Sequence, residues 1–265
     1  MNYRTTGRKT PLPINLASIA LGFVIFLAGC VSHVTFPSAA ARNVELTGHL
    51  YRPDGNGPFP AMVLLHACGG LSNHVLGWAS WLKDEGYVAL AIDSLRPRGT
   101  RDVCGSPLNP SISDVLQDAF GALAYLRSLP FVDPGRIGVI GWSYGATAAL
   151  WANFSGRPGK EFQATVAFYP GCSQMPDDTS TPLLLLLGEA DNWTPSWGCA
   201  NTAKRLQQAG RPVLFTVYPG IHHAFDNPAA GGRFGYTVAY DRAAAADSEK
   251  RVRSFLAQYL GRKQP

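Results

Sequence analysis

The chain has 265 residues, 46% hydrophobic and 11% aromatic, enough for one domain with a sizeable core. Its 28 glycines and 20 prolines are scattered without a period, which excludes collagen-like and low-complexity readings. Of the formal net charge of +5, three positives are Arg4, Arg8 and Lys9; without them 20 basic residues face 18 acidic ones, net +2, and no basic stripe argues for nucleic acid.

The N-terminus reads as an address. Basic residues within 4–9 precede an uncharged, mostly apolar stretch over 14–29 that ends in small residues. That is the layout of a secretory signal. Leu27-Ala28-Gly29-Cys30 resembles the bacterial lipobox. The resemblance implies cleavage before Cys30 and lipidation of its thiol, hence a partner membrane. The competing readings are a plain cleaved signal and an uncleaved anchor, since the stretch approaches the length of a spanning helix. In lipoproteins of Gram-negative bacteria an aspartate after the lipidated cysteine favours the inner membrane. Val31 stands there, which points to the outer membrane, facing the periplasm. The expected division is a signal peptide over 1–29, a tether over 30–43 and one domain over 44–265.

Residues 44–51 alternate enough for an edge strand, and the turn cluster 52–58 follows. Residues 61–66 form a continuous apolar run, which suits a strand covered on both faces. A glycine-rich loop carries Ala67-Cys68-Gly69-Gly70. Residues 75–85 are expected as a helix and 87–92 as another buried strand ending at Asp93. Ser113 is expected to cap a helix over 114–128. A strand over 136–141 and a helix to about residue 153 follow. Further strands are expected over 164–169, 182–187 and 213–218, with helices over 196–209 and 241–260. Strands alternate with helices, and the strands are unbroken apolar runs. Both facts argue for an α/β fold: a mostly parallel sheet of about seven to eight strands with helices on both faces.

Five cysteines leave four if Cys30 carries lipid. An exported protein keeps disulfides, and four cysteines allow three connectivities. Cys68 and Cys104 follow two strands expected to be neighbours, as do Cys172 and Cys199. Those two pairings are therefore favoured over four reduced, packed thiols. The absence of a C-x-x-C spacing gives a zinc site little support, and no metal or cofactor is expected.

Gly141-Trp142-Ser143-Tyr144-Gly145 lies between the strand over 136–141 and the following helix. G-x-S-x-G in that context is a nucleophile elbow, in which glycines let strand and helix approach and one hydroxyl stands above the sheet edge. A serine needs a base, and the base needs an orienting carboxylate. Downstream only His222 and His223 are available, both in the loop after the strand over 213–218. For the acid, Asp191 is favoured over Glu189, which lies closer to the strand end. Asp177 and Asp178 read as a solvated turn, and Asp226 as a local turn or cap.

The segments 141–145, 187–195 (Leu-Gly-Glu-Ala-Asp-Asn-Trp-Thr-Pro), 218–225 (Tyr-Pro-Gly-Ile-His-His-Ala-Phe) and 93–99 (Asp-Ser-Leu-Arg-Pro-Arg-Gly) together resemble the dienelactone hydrolase family of α/β-hydrolases. The resemblance spans roughly 44–260. It implies His223 as base, because a small residue and Phe follow it, and Asp191 as acid. It also implies an oxyanion hole from the backbone N–H groups of Tyr144 and Cys68. The namesake enzymes have cysteine where Ser143 stands, a glutamate near Ala67 and an arginine shortly after the histidine. These departures move the expected substrate from dienelactone to small esters or lactones. Trp142, Trp193 and Trp197 are expected at the mouth as an aromatic wall, with core packing the competing fate. Arg96 and Arg98 are candidate anion binders or solvated loop residues. The expected protein is a monomeric serine hydrolase. Rival readings are a peptidase or acyltransferase with the same triad, and an inactive envelope-binding protein.

Overall fold

The computed structural model describes residues 1, 31–40, 44–105, 109–155, 159, 161–172, 175, 178–232 and 234–261. The expected signal peptide, Cys30 and Asp177 lie outside them. In chain order the elements are β1 (Val31–Pro37), β2 (Glu45–Tyr51), β3 (Phe59–Leu65), α1 (Asn73–Asp84), β4 (Val88–Asp93), α2 (Ile112–Ser128) and β5 (Val132–Trp142). Then come α3 (Tyr144–Phe154), β6 (Thr165–Phe168), β7 (Leu183–Gly188), α4 (Ser196–Gln208), β8 (Val213–Tyr218) and α5 (Arg242–Leu260).

The strands form one sheet in the order β1-β2-β4-β3-β5-β6-β7-β8. β2 pairs antiparallel with β1 and β4, and the pairings from β4 through β8 are parallel. The mostly parallel sheet anticipated from the apolar runs is thus present. On β3, Ala61, Val63 and Leu65 pack with α2 and α3, while Met62 and Leu64 pack with α1 and α5. On β7, Leu183, Leu185 and Leu187 meet α3 and α4, while Leu184 and Leu186 meet α5. Both faces of the central strands are therefore dry, which is why their sequences do not alternate.

Three expectations need correcting. The tether expected over 30–43 is a strand at 31–37, which makes β1, not 44–51, the sheet edge. Phe36 from β1 is buried in the core, so the segment belongs to the domain. The cap of α2 is Ser111, not Ser113: its hydroxyl accepts the Asp114 N–H while the Asp114 carboxylate accepts the Ser111 N–H. This reciprocal pair satisfies two groups at the helix start, which Ser113 inside the first turn cannot do.

Arg98 is neither a solvated residue nor a free anion binder. Its guanidinium makes two 2.8 Å bonds to the fully buried Asp118 of α2. The Ser38 hydroxyl donates to the same carboxylate at 2.6 Å. The disulfides join Cys68 to Cys104 and Cys172 to Cys199, with Cα separations of 4.9 and 5.2 Å. The bridged cysteines follow neighbouring strands, β3 and β4 in one pair and β6 and β7 in the other, with Cys199 on α4.

Candidate active site

A single residue, Ser143, separates β5 from α3. Ser143 has φ 51° and ψ −111°, a region that non-glycine residues avoid at a cost of about 1–3 kcal/mol. The surroundings hold it there. The Ser143 N–H donates to Phe168 O at 2.9 Å, and its carbonyl accepts from the Thr147 N–H at 2.9 Å. A Cβ on Gly141 would sit 2.5 Å from the backbone of Gly145. A Cβ on Gly145 would sit 2.5 Å from His66 O and nearer still to Leu65 O. Neither neighbour is a flexible side chain, so helix and strand would have to part. Gly145→Ala is therefore expected to destabilise the fold by at least about 3 kcal/mol. Urea unfolding should show it beside Gly77→Ala, a control whose Cβ meets nothing within 4 Å.

The serine hydroxyl meets an imidazole. Ser143 Oγ lies 2.9 Å from His223 Nε2, and His223 Nδ1 lies 2.7 Å from Asp191 Oδ2. Asp191 is placed by the end of β7. Its Oδ1 accepts the N–H groups of Trp193 and Thr194 at 2.9 Å each, and its Oδ2 also takes the Thr194 hydroxyl at 2.9 Å. Burial alone would raise the Asp191 pKa. The hydrogen bond and charge of His223, with those from Thr194, outweigh it and hold the carboxyl below its ordinary value. An ionised Asp191 assigns the His223 proton to Nδ1 and leaves Nε2 free to accept from the serine.

Residues 236–241 brace the histidine loop. His223 and Val238 form a parallel bridge, the Ala239 N–H donates to His223 O at 3.2 Å, and the Asp241 N–H donates to Phe225 O at 2.9 Å. Ser143 and His223 open into a cavity of about 260 Å³ that also reaches Cys68, Gly70, His74, Val75, Trp193 and Ala224. Tyr144 begins α3, where an N–H has no acceptor within the helix. Its phenol donates to Pro110 O, away from the serine. Beneath Cys68, the buried His66 is kept neutral by desolvation, against the pull of the Ala67 carbonyl and nearby carboxylates. Its Nδ1–H donates to Ala67 O at 2.7 Å and its Nε2 accepts the Ser94 N–H at 3.2 Å, which pins the glycine-rich loop to the end of β4.

Other expected site residues lie elsewhere. Trp142 borders the cavity but is 1% exposed and packs in the core, with its indole N–H bonded to Asp226, so it does not stand at the mouth. Trp197 is 72% exposed on α4. Arg96 projects into solvent 3.6 Å from Asp93 and does not line the cavity. Trp193 does line it, 5.1 Å from the His223 ring. His222 Nδ1 bonds Ala190 O at 2.9 Å, and Glu189 accepts the Gly220 N–H at 2.9 Å, so both competitors are tied to loop backbone. Asp178 pairs with Arg211 on the surface.

Asp226 is the residue whose role the sequence hid. It lies in a turn over 224–226, as expected, but its carboxylate is a buried hub. Its Oδ2 accepts from His74 Nε2 at 2.9 Å, Trp78 Nε1 at 3.0 Å and Trp142 Nε1 at 2.9 Å; its Oδ1 accepts from the Tyr169 phenol at 2.7 Å. Burial would raise its pKa, but the His74 charge and the hydrogen bonds from His74, Tyr169 and Trp142 hold it below the ordinary carboxylate value. One carboxylate thus ties together α1, the residue before the serine, the end of β6 and the histidine loop. No single-sequence signal marks such a hub, because its donors are spread from residue 74 to 169. Among the described residues no group of His, Cys, Asp and Glu is placed to hold a metal ion.

The sequence profile described as Dienelactone hydrolase family matches residues 46–260. A Synechocystis protein provisionally named carboxymethylenebutenolidase is 26% identical over 245 residues, covering 83% of this chain and 93% of that one. A Bradyrhizobium protein provisionally named 2-oxo-3-(5-oxofuran-2-ylidene)propanoate lactonase is 28% identical over 67% of this chain and 77% of its own. Among solved structures, a dienelactone hydrolase-like promiscuous phosphotriesterase from metagenomic libraries superposes with a TM-score of 0.74 at 22% identity, over 88% of this chain and all of that one. The thermophilic esterase of Thermogutta terrifontis gives 0.66 at 20% identity, over 89% and 95%.

Proposed function

Because the chain belongs to the dienelactone hydrolase family, we propose that it cleaves carboxylic esters or lactones through an acyl-enzyme on Ser143. The observation that carries this reading is the unbroken line from Ser143 Oγ to His223 Nε2 and from His223 Nδ1 to Asp191, opening into a cavity. His223 takes the hydroxyl proton as Ser143 attacks the carbonyl carbon. Asp191 holds the imidazole in its Nδ1–H form and stabilises the imidazolium. The backbone N–H groups of Tyr144 and Cys68 receive the oxyanion. His223 returns the proton to the leaving oxygen, and water releases the acid by the reverse sequence.

The loop around Ala67 has no glutamate, and residues 224–227 contain no arginine. A small uncharged ester or lactone fits such a site better than one bearing a carboxylate. Exported provenance belongs to the same proposal: Leu27-Ala28-Gly29-Cys30 would place a lipid one residue before β1, and the domain close against the envelope membrane. Metabolic labelling with a fatty-acid analogue should mark the wild type and not Cys30→Ser.

A fluorophosphonate probe tests the chemistry. The intact protein should label and Ser143→Ala should not; labelling that ignores the substitution would sink the reading. The disulfide at Cys68 supports the oxyanion loop. Cys104→Ser is therefore expected to lower kcat at least about tenfold, a fraction of what losing an oxyanion donor costs. A change confined to Tm would mean that the bridge serves only the fold.

A further inference from the structure

Beyond the triad, the cavity has an aromatic side. The imidazole of His223 lies between two aromatic rings, Tyr169 at 4.6 Å and Trp193 at 5.1 Å. Tyr169 is 2% exposed, and its hydroxyl is committed to Asp226. Trp193 is half-buried and faces the cavity. Its ring stacks on Tyr236 at 5.0 Å with 7° between planes, and Phe234 meets its edge at 6.3 Å. Aromatic pairs at these separations hold one another in place.

Phe234 is the outermost of the three. It is 60% exposed and has φ 53°, a left-handed conformation unusual for a bulky residue. Its ring reaches across to the disulfide loop, where a Cβ on Gly105 would touch it at 3.5 Å. The Thr237 N–H bonds Asn192 Oδ1 at 3.0 Å, which fixes this segment to the loop that carries Trp193. An exposed aromatic lip thus runs from beside the catalytic base to the oxyanion loop. The rest of the cavity's lining includes the small side chains of Val75, Ala224 and Ala230 and the backbone of Gly70, with His74 and Asn227 among them.

The reaction proposed above, on which this inference rests, assigns the lip and the rest of the cavity. His223 Nε2 must hand its proton to the leaving oxygen, so the first carbons of the leaving alcohol lie against the imidazole. On that side the accessible surface is Trp193. The acyl group is left with the remainder of a cavity of about 260 Å³, below the roughly 300–1,000 Å³ of drug-sized sites. We propose that Trp193, Phe234 and Tyr236 form a leaving-group subsite for a flat apolar alcohol, and that the substrates are short-acid esters of such alcohols.

Phenyl acetate and methyl acetate share the acyl group and differ only in what this subsite would hold. Phe234→Ala is expected to lower the ratio of kcat/KM for phenyl acetate to that for methyl acetate about 3- to 10-fold. Phe234→Leu should give a smaller fall. Phenol binding to Ser143→Ala, followed by titration calorimetry, should weaken by a similar factor when Phe234→Ala is added. Equal losses on both esters, or phenol binding that Phe234→Ala leaves unchanged, would overturn the subsite. Absence of Ser143-dependent turnover would instead defeat the hydrolase reading; the phenol titration on Ser143→Ala still decides the subsite by itself.

Discussion

Alanine at His223 is expected to lower kcat on a p-nitrophenyl ester about 10⁴- to 10⁶-fold, while His222→Ala stays within about tenfold. The two histidines are adjacent and both are held by hydrogen bonds at their Nδ1 atoms, but their partners differ. His223 is bound to a carboxylate and presents Nε2 to the serine; His222 is bound to the carbonyl of Ala190. Only the first arrangement can take a proton and stabilise the resulting charge. Stopped-flow burst kinetics on both variants checks the assignment. A normal burst from His223→Ala beside its loss in His222→Ala would reverse the roles.

Asp226→Ala is expected to destabilise the fold by about 3–5 kcal/mol, because it leaves several buried donors without their acceptor. His74 Nε2, the indole N–H groups of Trp78 and Trp142, and the Tyr169 hydroxyl all lose their acceptor at once. Asp226→Asn is the milder change. Its amide oxygen still accepts from the three N–H groups, and its NH₂ can donate to the Tyr169 oxygen. Urea unfolding at neutral pH should rank wild type above Asn and Asn above Ala. Equal stability of Ala and wild type would mean that the hub contributes nothing.

The same carboxylate sets a pH dependence. The folded pKa values of Asp226 and Asp191 both lie below the ordinary 3.8, despite burial, because of the partners described above. In the unfolded chain each carboxyl binds its proton at the higher, ordinary value. Their stabilisation is therefore complete above the ordinary value and is lost as pH falls through the lowered one. Acid unfolding followed by circular dichroism should be less steep below about pH 4 in Asp226→Asn, which has no proton to take up at that position.

The glycines of the elbow show how far local chemistry carries. Gly141 and Gly145 could be read as the spacing that lets a strand and a helix touch, and the structure places backbone where each Cβ would go. The apolar runs over 61–66 and 182–187 could be read as doubly covered strands, because nothing in them alternates. Trp142 and Trp193 show where local reading stops. Both are single tryptophans beside a motif residue and both border the cavity, yet one is sealed in the core at 1% exposure and the other is half-buried. That difference depends on which face of the sheet each position meets, and the composition of a loop does not carry it. The N-terminal segment fails for a related reason. Residues 31–37 alternate weakly and look like a linker, and only pairing with β2 makes them a strand.

The chain by itself determined the alternation of strands and helices and the glycine-flanked serine between a strand and a helix. These are local: each follows from residue types within a dozen positions and from the period of apolar residues. Only the tertiary structure decided that Asp226 gathers donors from three other segments, that Arg98 pairs with Asp118, and that Phe234 and Tyr236 join Trp193 at the mouth. A buried carboxylate is stable only where several donors converge, and convergence between residues 74, 142, 169 and 226 is a property of the folded path, not of any stretch of the chain.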